Sequence, residues 1–244
     1  MNQAKNRTAS TRLNKFISES GICSRRKAEE MILANRVTVN NRVVTQLFFK
    51  VNPDKDKVFL DGERIAPKRH IYYLLNKPMG VVTTTEDEKN RKTVIDLIKT
   101  NEKIFPVGRL DFNTTGVLLL TNDGEFSNLL THPRNRVPRE YEVRLDRHLT
   151  DVDIDKLQSG IFIEGKRGRF EKISFTSRNS KKFVNVVATE GRNHFVKNMF
   201  SALSYTVVSL NRISFAGFKA DIPLGSYRVL SKAEISGVIS KYGR

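Results

Sequence analysis

Apolar residues along this chain recur in short runs whose spacing alternates between helix and strand periods. Leu13, Phe16 and Ile17 fall at i, i+3 and i+4, one face of a helix, and Gly21 stands where a left-handed residue ends such a helix. Ser24 is placed to cap a second helix with Ala28, Met31 and Ile32 as its stripe and Asn35 near its end. Val37, Val39 and Val43-Val44 around Asn40-Asn41 predict strand, tight turn and strand. Pro53 to Asp56 and Ala66-Pro67-Lys68-Arg69 are turn and linker material, which puts a boundary near residue 68. Beyond it, strand-like runs lie at 71–75, 81–84, 117–121, 141–145, 161–164, 183–188, 207–210 and 227–229. Helical patterns lie at 94–99, 125–130, 150–159, 193–203 and 232–240. Strands and helices do not alternate one for one, which predicts an α+β fold with a mixed, largely antiparallel sheet flanked by helices. The expected organisation is a polar basic arm at 1–10, a small helix–helix–hairpin module at 11–66 and a larger domain at 67–244.

Charge narrows the class of partner. The chain has 244 residues with 43 Lys and Arg against 26 Asp and Glu, a net charge of +17. Such an excess favours a polyanion, either nucleic acid or an anionic surface. Residues 1–70 hold 15 basic and 7 acidic residues and the rest hold 28 and 19, so both parts are basic and the first is about twice as dense. The longest apolar stretches, such as Val117 to Leu120, fall far short of the ~20 residues of a membrane span. Residues 1–10 contain no apolar run of the signal-peptide type. Cys23 is the only cysteine, which excludes a disulfide framework and a thiolate zinc site. Hydrophobic residues make up 39% of the chain in periodic runs, against wholesale disorder.

Arg25, Arg26 and Lys27 fill the first turn of the predicted second helix, where cations oppose the helix dipole at about 0.3–1 kcal/mol each. The arrangement makes sense if a phosphate visits, since backbone N–H groups and positive side chains then converge on it. A solvated basic helix start is the plainer alternative. Gly108 to Gly116 is a polar, glycine-bounded loop leading into the strand at 117–120, and Asn122-Asp123-Gly124 closes that strand. Taken alone, a carboxylate such as Asp111 is more often a turn or capping residue than a catalyst. A second loop, Glu190-Gly191-Arg192-Asn193, precedes a two-faced helix. Phe195, Val196, Met199, Phe200 and Leu203 form its apolar side, while His194, Lys197, Asn198 and Ser201 share the other. Lys197 therefore points from a rigid element toward any carboxylate another loop brings, or else is an ordinary surface lysine.

The first module, through Arg12 to Ile17, Gly21, Ser24 to Glu29 and Arg36 to Asn40, resembles the compact RNA-binding module named after ribosomal protein S-four. The Gly-Arg-Leu-Asp loop at 108–111, Thr-Asn-Asp-Gly at 121–124 and the segment 190–200 are similar to the pseudouridine synthases of the ribosomal small subunit pseudouridine synthase A family. The likeness extends to Leu75 to Gly80, Thr131-His132-Pro133, Arg139-Glu140-Tyr141 and Pro223 to Arg228, nearly the whole chain. The resemblance implies isomerisation of a uridine within RNA, with the base moved from its N1 bond to a C5 bond on the same ribose and no cofactor or metal. It implies Asp111 as the essential carboxylate, acting as nucleophile or by deprotonating the ribose. Lys197 takes the family's basic position, and an opposite charge within about 4–6 Å favours the ionised carboxylate. Tyr141 takes the aromatic position that stacks on the target base, with plain packing beside Val143 and Leu145 as its alternative. Arg109 is expected in the gap left by the extruded base, and Arg192 and His194 against the RNA.

The family's helix-start motif usually carries Gln and Arg where this chain has Phe195 and Asn198, which predicts weaker RNA contact and lower salt dependence at that helix. The implied partner is ribosomal RNA or a ribosome assembly intermediate in the cytoplasm, with no membrane and a monomeric enzyme. The segments at 131–133 and 137–141 lean toward the large-subunit members. A non-catalytic rRNA-binding or assembly factor on the same fold is the competing reading, and a DNA- or membrane-surface-binding protein is a third.

Overall fold

The computed structural model describes residues 10–177 and 180–243. The arm expected over 1–10 lies, except for Ser10, outside the described residues. The chain divides into two compact units, Met1–His70 and Ile71–Arg244.

In the first unit, helices α1 (Leu13–Glu19) and α2 (Arg25–Leu33) precede strands β1 (Val37–Val39), β2 (Arg42–Val43), β3 (Val58–Leu60) and β4 (Glu63–Ile65). Leu13, Phe16, Ile17, Ala28 and Ile32 are buried together with Val37 and Val51. Each of the Leu, Phe, Ile and Val side chains contributes about 1.5–3 kcal/mol when fully withdrawn from water. Ser24 caps α2 by accepting from the Lys27 backbone N–H at 3.3 Å. Asn40 and Asn41 both adopt positive φ, 50° and 64°, as a two-residue hairpin turn of the favoured hand requires.

The second unit is built on a mixed sheet. The strands along its main path are β5 (Tyr72–Lys77), β6 (Thr114–Thr121), β7 (Arg139–Leu145), β10 (Lys172–Ser177), β11 (Ser180–Ala188), β12 (Val207–Phe215) and β13 (Tyr227–Val229). The hairpin β8 (Ile161–Ile163) and β9 (Lys166–Gly168) stands apart from it. Across the sheet the order is β10-β11-β7-β12-β6-β5-β13, and only the β12–β6 pair is parallel. Side chains alternate along β5 and β6, so the sheet carries a core on each face. Leu75, Leu118 and Leu120 pack with Tyr141, Val143, Val196 and Met199. Leu74, Val117 and Leu119 pack with Phe126, Leu130, Ile235 and Val238 on the other side. The helices that cover the faces are α3 (Gly124–Thr131), α4 (Asp151–Ser159), α5 (Phe195–Ser201) and α6 (Lys232–Tyr242).

Four sequence expectations change. The helix expected at 94–99 is a turn, because the Asp96 carboxylate accepts from the Thr93 backbone N–H (2.7 Å) and hydroxyl (3.0 Å), offering the backbone an alternative to a helix. The strand expected at 81–84 shrinks to one bridge, Val82 to Thr93. There the Thr83 side chain engages both backbone groups of Leu110, donating to its carbonyl at 2.7 Å and accepting from its N–H at 3.4 Å. The helix expected at 193–203 covers only Phe195–Ser201, flanked by left-handed His194 (φ 51°) and Ser204 (φ 63°). The loop expected to reach Gly116 ends earlier, since β6 begins at Thr114. Gly116 is required there: a Cβ would lie 2.2 Å from the Arg212 carbonyl oxygen across the parallel pair.

Candidate active site

Asp111 sits at the turn that leads into β6, and the Thr114 N–H closes that turn on the Asp111 carbonyl at 3.0 Å. Thr83 holds the preceding residue by its backbone, as described above. Beneath the turn lies Lys77, whose ammonium is wholly buried and donates to the carbonyls of Pro78 (3.0 Å), Asp111 (3.1 Å), Phe112 (3.4 Å) and Thr114 (3.0 Å). Four carbonyl oxygens stand in for the water this cation loses on burial. Burial pushes its pKa down to about 8, opposed by the negative charge of Asp111. Two links of the chain from sequence to site therefore fix the carboxylate: side-chain bonds that shape the loop, and a buried cation that fastens it.

The partner arrives from 86 residues away. Helix α5 buries Phe195, Val196, Met199 and Phe200 and leaves Lys197 on its other side. Lys197 Nζ donates to Asp111 Oδ2 at 2.6 Å, and His194 Nε2 lies 3.3 Å from Oδ1. The carboxylate is 25% exposed and the Lys197 side chain 33%, so the pair opens to solvent on one side. Both lie in a cavity of about 120 Å³ with Arg109, Tyr141, Arg139, Arg192 and Arg212 in its lining. Tyr141 is buried, 9% exposed, and stands directly across from Arg212 in the β7–β12 pairing.

The remaining residues expected at the site divide into two groups. Arg109 is exposed and donates to Asn193 Oδ1 at 3.3 Å. Arg192 spends its guanidinium on Glu190 (2.7 Å) and on the carbonyls of Ile163 (3.2 Å) and Arg167 (3.3 Å), so it ties the β8–β9 hairpin to the loop before α5. Arg25, Arg26 and Lys27 belong to the first unit, exposed on α2, with Lys27 paired to Glu30 at 2.6 Å. The two departures in the helix-start motif also have local partners. Phe195 meets Phe170 edge-on at 5.9 Å, and Asn198 donates to Glu164 in the β8–β9 turn at 2.8 Å. They fasten that hairpin to α5.

Sequence reasoning missed Lys77 and Arg212 as site residues. Their signal was a charged residue in phase with a strand's buried leucine, Lys77 two residues after Leu75 and Arg212 two after Leu210. A wider recess of about 950 Å³ continues from the cavity through Thr131, Glu190, Gly191 and Arg192, and Arg134, Arg136, Arg167 and Arg169 line it. Its other carboxylate, Glu171, is already bound by Arg136 at 2.5 Å and by Arg169 at 3.4 Å.

A carboxylate held by lysine in a small cavity, opening to an arginine-lined recess, is compatible with several classes of protein that handle a polyanionic chain. Comparison with known proteins fixes which. Residues 71–202 match the RNA pseudouridylate synthase family and residues 11–58 match the S4 domain. An RNA pseudouridine synthase of Aquifex aeolicus is 38% identical over 95% of both chains. The ribosomal large subunit pseudouridine synthase B of Bacillus subtilis is 39% identical over 84% of this chain and 85% of its own. A crystal structure of a pseudouridylate synthase, 29% identical, superposes with a TM-score of 0.67 over 94% of this chain and all of the other. This chain belongs to the RNA pseudouridylate synthase family, isomerases acting on RNA, and carries an RNA-binding S4 domain ahead of the synthase domain.

Proposed function

We propose that this chain converts a uridine of large-subunit ribosomal RNA to pseudouridine, with Asp111 as the essential carboxylate. The observation that carries this reading is the Asp111–Lys197 contact at 2.6 Å beside Tyr141 in one cavity. The name of the Bacillus subtilis relative supports the large subunit as the source of the substrate.

The target base leaves its stack or helix and enters the cavity, at the cost of a few kcal/mol. Arg109, exposed at the cavity, fills the space it vacates. Tyr141 supplies an aromatic face for the uracil ring. The C1′–N1 bond breaks, and Asp111 either bonds to the substrate or removes a ribose proton. The detached ring turns, C5 bonds to C1′, the C5 proton leaves and N1 gains one. Product and substrate contain the same atoms, so the reaction needs no redox partner. Lys197 keeps the carboxylate aimed through its 2.6 Å hydrogen bond.

We assign docking to residues 11–66, through Arg25, Arg26 and Lys27, and catalysis to residues 67–244. The division into compact units after His70 supports that assignment. The arginines of the wider recess suit the backbone that flanks the target. We propose that the chain works as a monomer in the cytoplasm, where ribosomal RNA is folded. The test is tritium release from rRNA labelled at C5 of uridine, together with pseudouridine mapping in a deletion strain. Release from large-subunit rRNA and loss of one pseudouridine there are expected. Absence of release from every rRNA, naked or in assembly particles, would leave only a binding role.

A further inference from the structure

Arg212 is the largest fully buried side chain among the described residues, 2% exposed, and it lines the cavity that holds Asp111. Strand register puts it there. It faces Tyr141 across the antiparallel β7–β12 pair and Gly116 across the parallel β12–β6 pair, where the absence of a side chain permits the approach. Its Nε donates to the Val117 carbonyl at 2.7 Å, and the charge lies 4.7 Å from the Phe215 ring centre. Its Nη2 is buried with no hydrogen-bond partner at all. No carboxylate pairs with it among the described residues, whereas Asp111 in the same cavity is taken by Lys197. Arg139, also buried against Phe215, differs in this respect, for it spends its donors on the carbonyls of Val137, Thr189 and Leu130.

A buried cation without a counter-charge, and a buried donor without an acceptor, are both costly. Such groups are retained where chemistry uses them. The acceptor that the free Nη2 needs has to enter the cavity, and the flipped uracil brings two carbonyl oxygens. We propose that Arg212 is a catalytic residue, donating from Nη2 to a uracil carbonyl oxygen and taking up the charge the base gains as it leaves the ribose. When the C1′–N1 bond breaks, its electron pair stays with the base and spreads over N1, O2 and O4. The ribose carbon is left to Asp111 by either route named above, and the charge is discharged when C5 rejoins C1′ and N1 takes a proton. A donor already fixed and buried stabilises that anion without having to reorganise. The inference rests on the proposed function and deepens it.

The test compares wild type and Arg212→Met on a large-subunit rRNA transcript under single-turnover conditions. Methionine approximates the length of the side chain, and replacing a buried charge by an apolar group is often neutral for folding. The melting temperature and RNA affinity are expected to stay near wild type, while tritium release falls by about 10²–10³-fold, as for loss of one preorganised donor. On the same transcript made with 5-fluorouridine, whose base carries negative charge more readily, loss of the original nucleoside is followed instead. There the deficit should shrink at least about tenfold, a selectivity that a merely structural role does not produce. A folded Arg212→Met enzyme within about fivefold of wild type, or equal deficits on the two transcripts, overturns the proposal. If Arg212→Met melts below the assay temperature, Arg212→Lys and Arg212→Gln replace it. The charged variant must then be at least about tenfold faster, and equal rates overturn the proposal. Wild type inactive on the uridine transcript removes the proposed function and this inference with it.

Discussion

Lys197→Met removes the cation that sits 2.6 Å from the Asp111 carboxylate and leaves an apolar chain of similar reach. Exposed ion pairs contribute about 0.2–1 kcal/mol, and breaking fully buried ones costs about 3–5 kcal/mol. This pair is a quarter to a third exposed, so solvent screens part of the interaction and about 2 kcal/mol is the reasonable figure. His194 Nε2, 3.3 Å from the other carboxylate oxygen, is unchanged by the substitution. At 1.36 kcal/mol per factor of ten, the loss corresponds to about 30-fold. The lysine acts on the carboxylate and not on the RNA at large, so the loss belongs in the rate constant at saturation. The assay is single-turnover tritium release at several RNA concentrations at pH 8. Lys197→Arg, which keeps the charge, should stay within about fivefold and melt near wild type, whereas Lys197→Met should melt up to about 4–8 °C lower but remain folded, because the core side of α5 is untouched. A methionine variant within about threefold of wild type, or a loss confined to KM, would refute the reasoning.

Two further predictions follow from the loop and from the small module. Lys77 has a folded pKa near 8 against an ordinary 10.5, so between those values the unfolded chain binds more protons and stability rises with pH. Lys77→Met should flatten that rise, by up to ~1.4 kcal/mol per pH unit, in urea unfolding compared at pH 8 and pH 9.5. An unchanged pH slope would mean the ammonium keeps its proton throughout. Charge reversal of Arg25, Arg26 and Lys27 together should raise KM for long structured rRNA and lower the salt dependence of binding, with kcat nearly intact. A fall in kcat at unchanged KM would remove the docking role.

Local pattern was enough for the parts of the fold whose cause is local. The two faces of α5 can be read from apolar spacing at 195, 196, 199 and 200, which aims Lys197 outward before its partner is known. The glycine-bounded loop marks Asp111 in the same way. What pattern alone cannot supply is register. Tyr141 meets Arg212 because β7 and β12 pair in one particular alignment, with an irregularity between Glu140 and Tyr141, and nothing within a few residues of either position encodes that. Lys77 is similar, for its ammonium is held by carbonyls more than 30 residues away as well as by its neighbour. The misread helix at 94–99 has the opposite origin: its apolar spacing is real, with Val94 and Ile98 buried, but the Thr93–Asp96 side-chain bonds close a turn first.

The most direct measurement compares Asp111→Asn with wild type, because the substitution preserves shape and removes the charge on which the account depends. Tritium release from C5-labelled large-subunit rRNA is predicted to fall to background, while filter-binding affinity for the same RNA stays within about threefold. Release by the asparagine variant at a rate close to wild type would contradict the central claim that the carboxylate held by Lys197 carries the reaction.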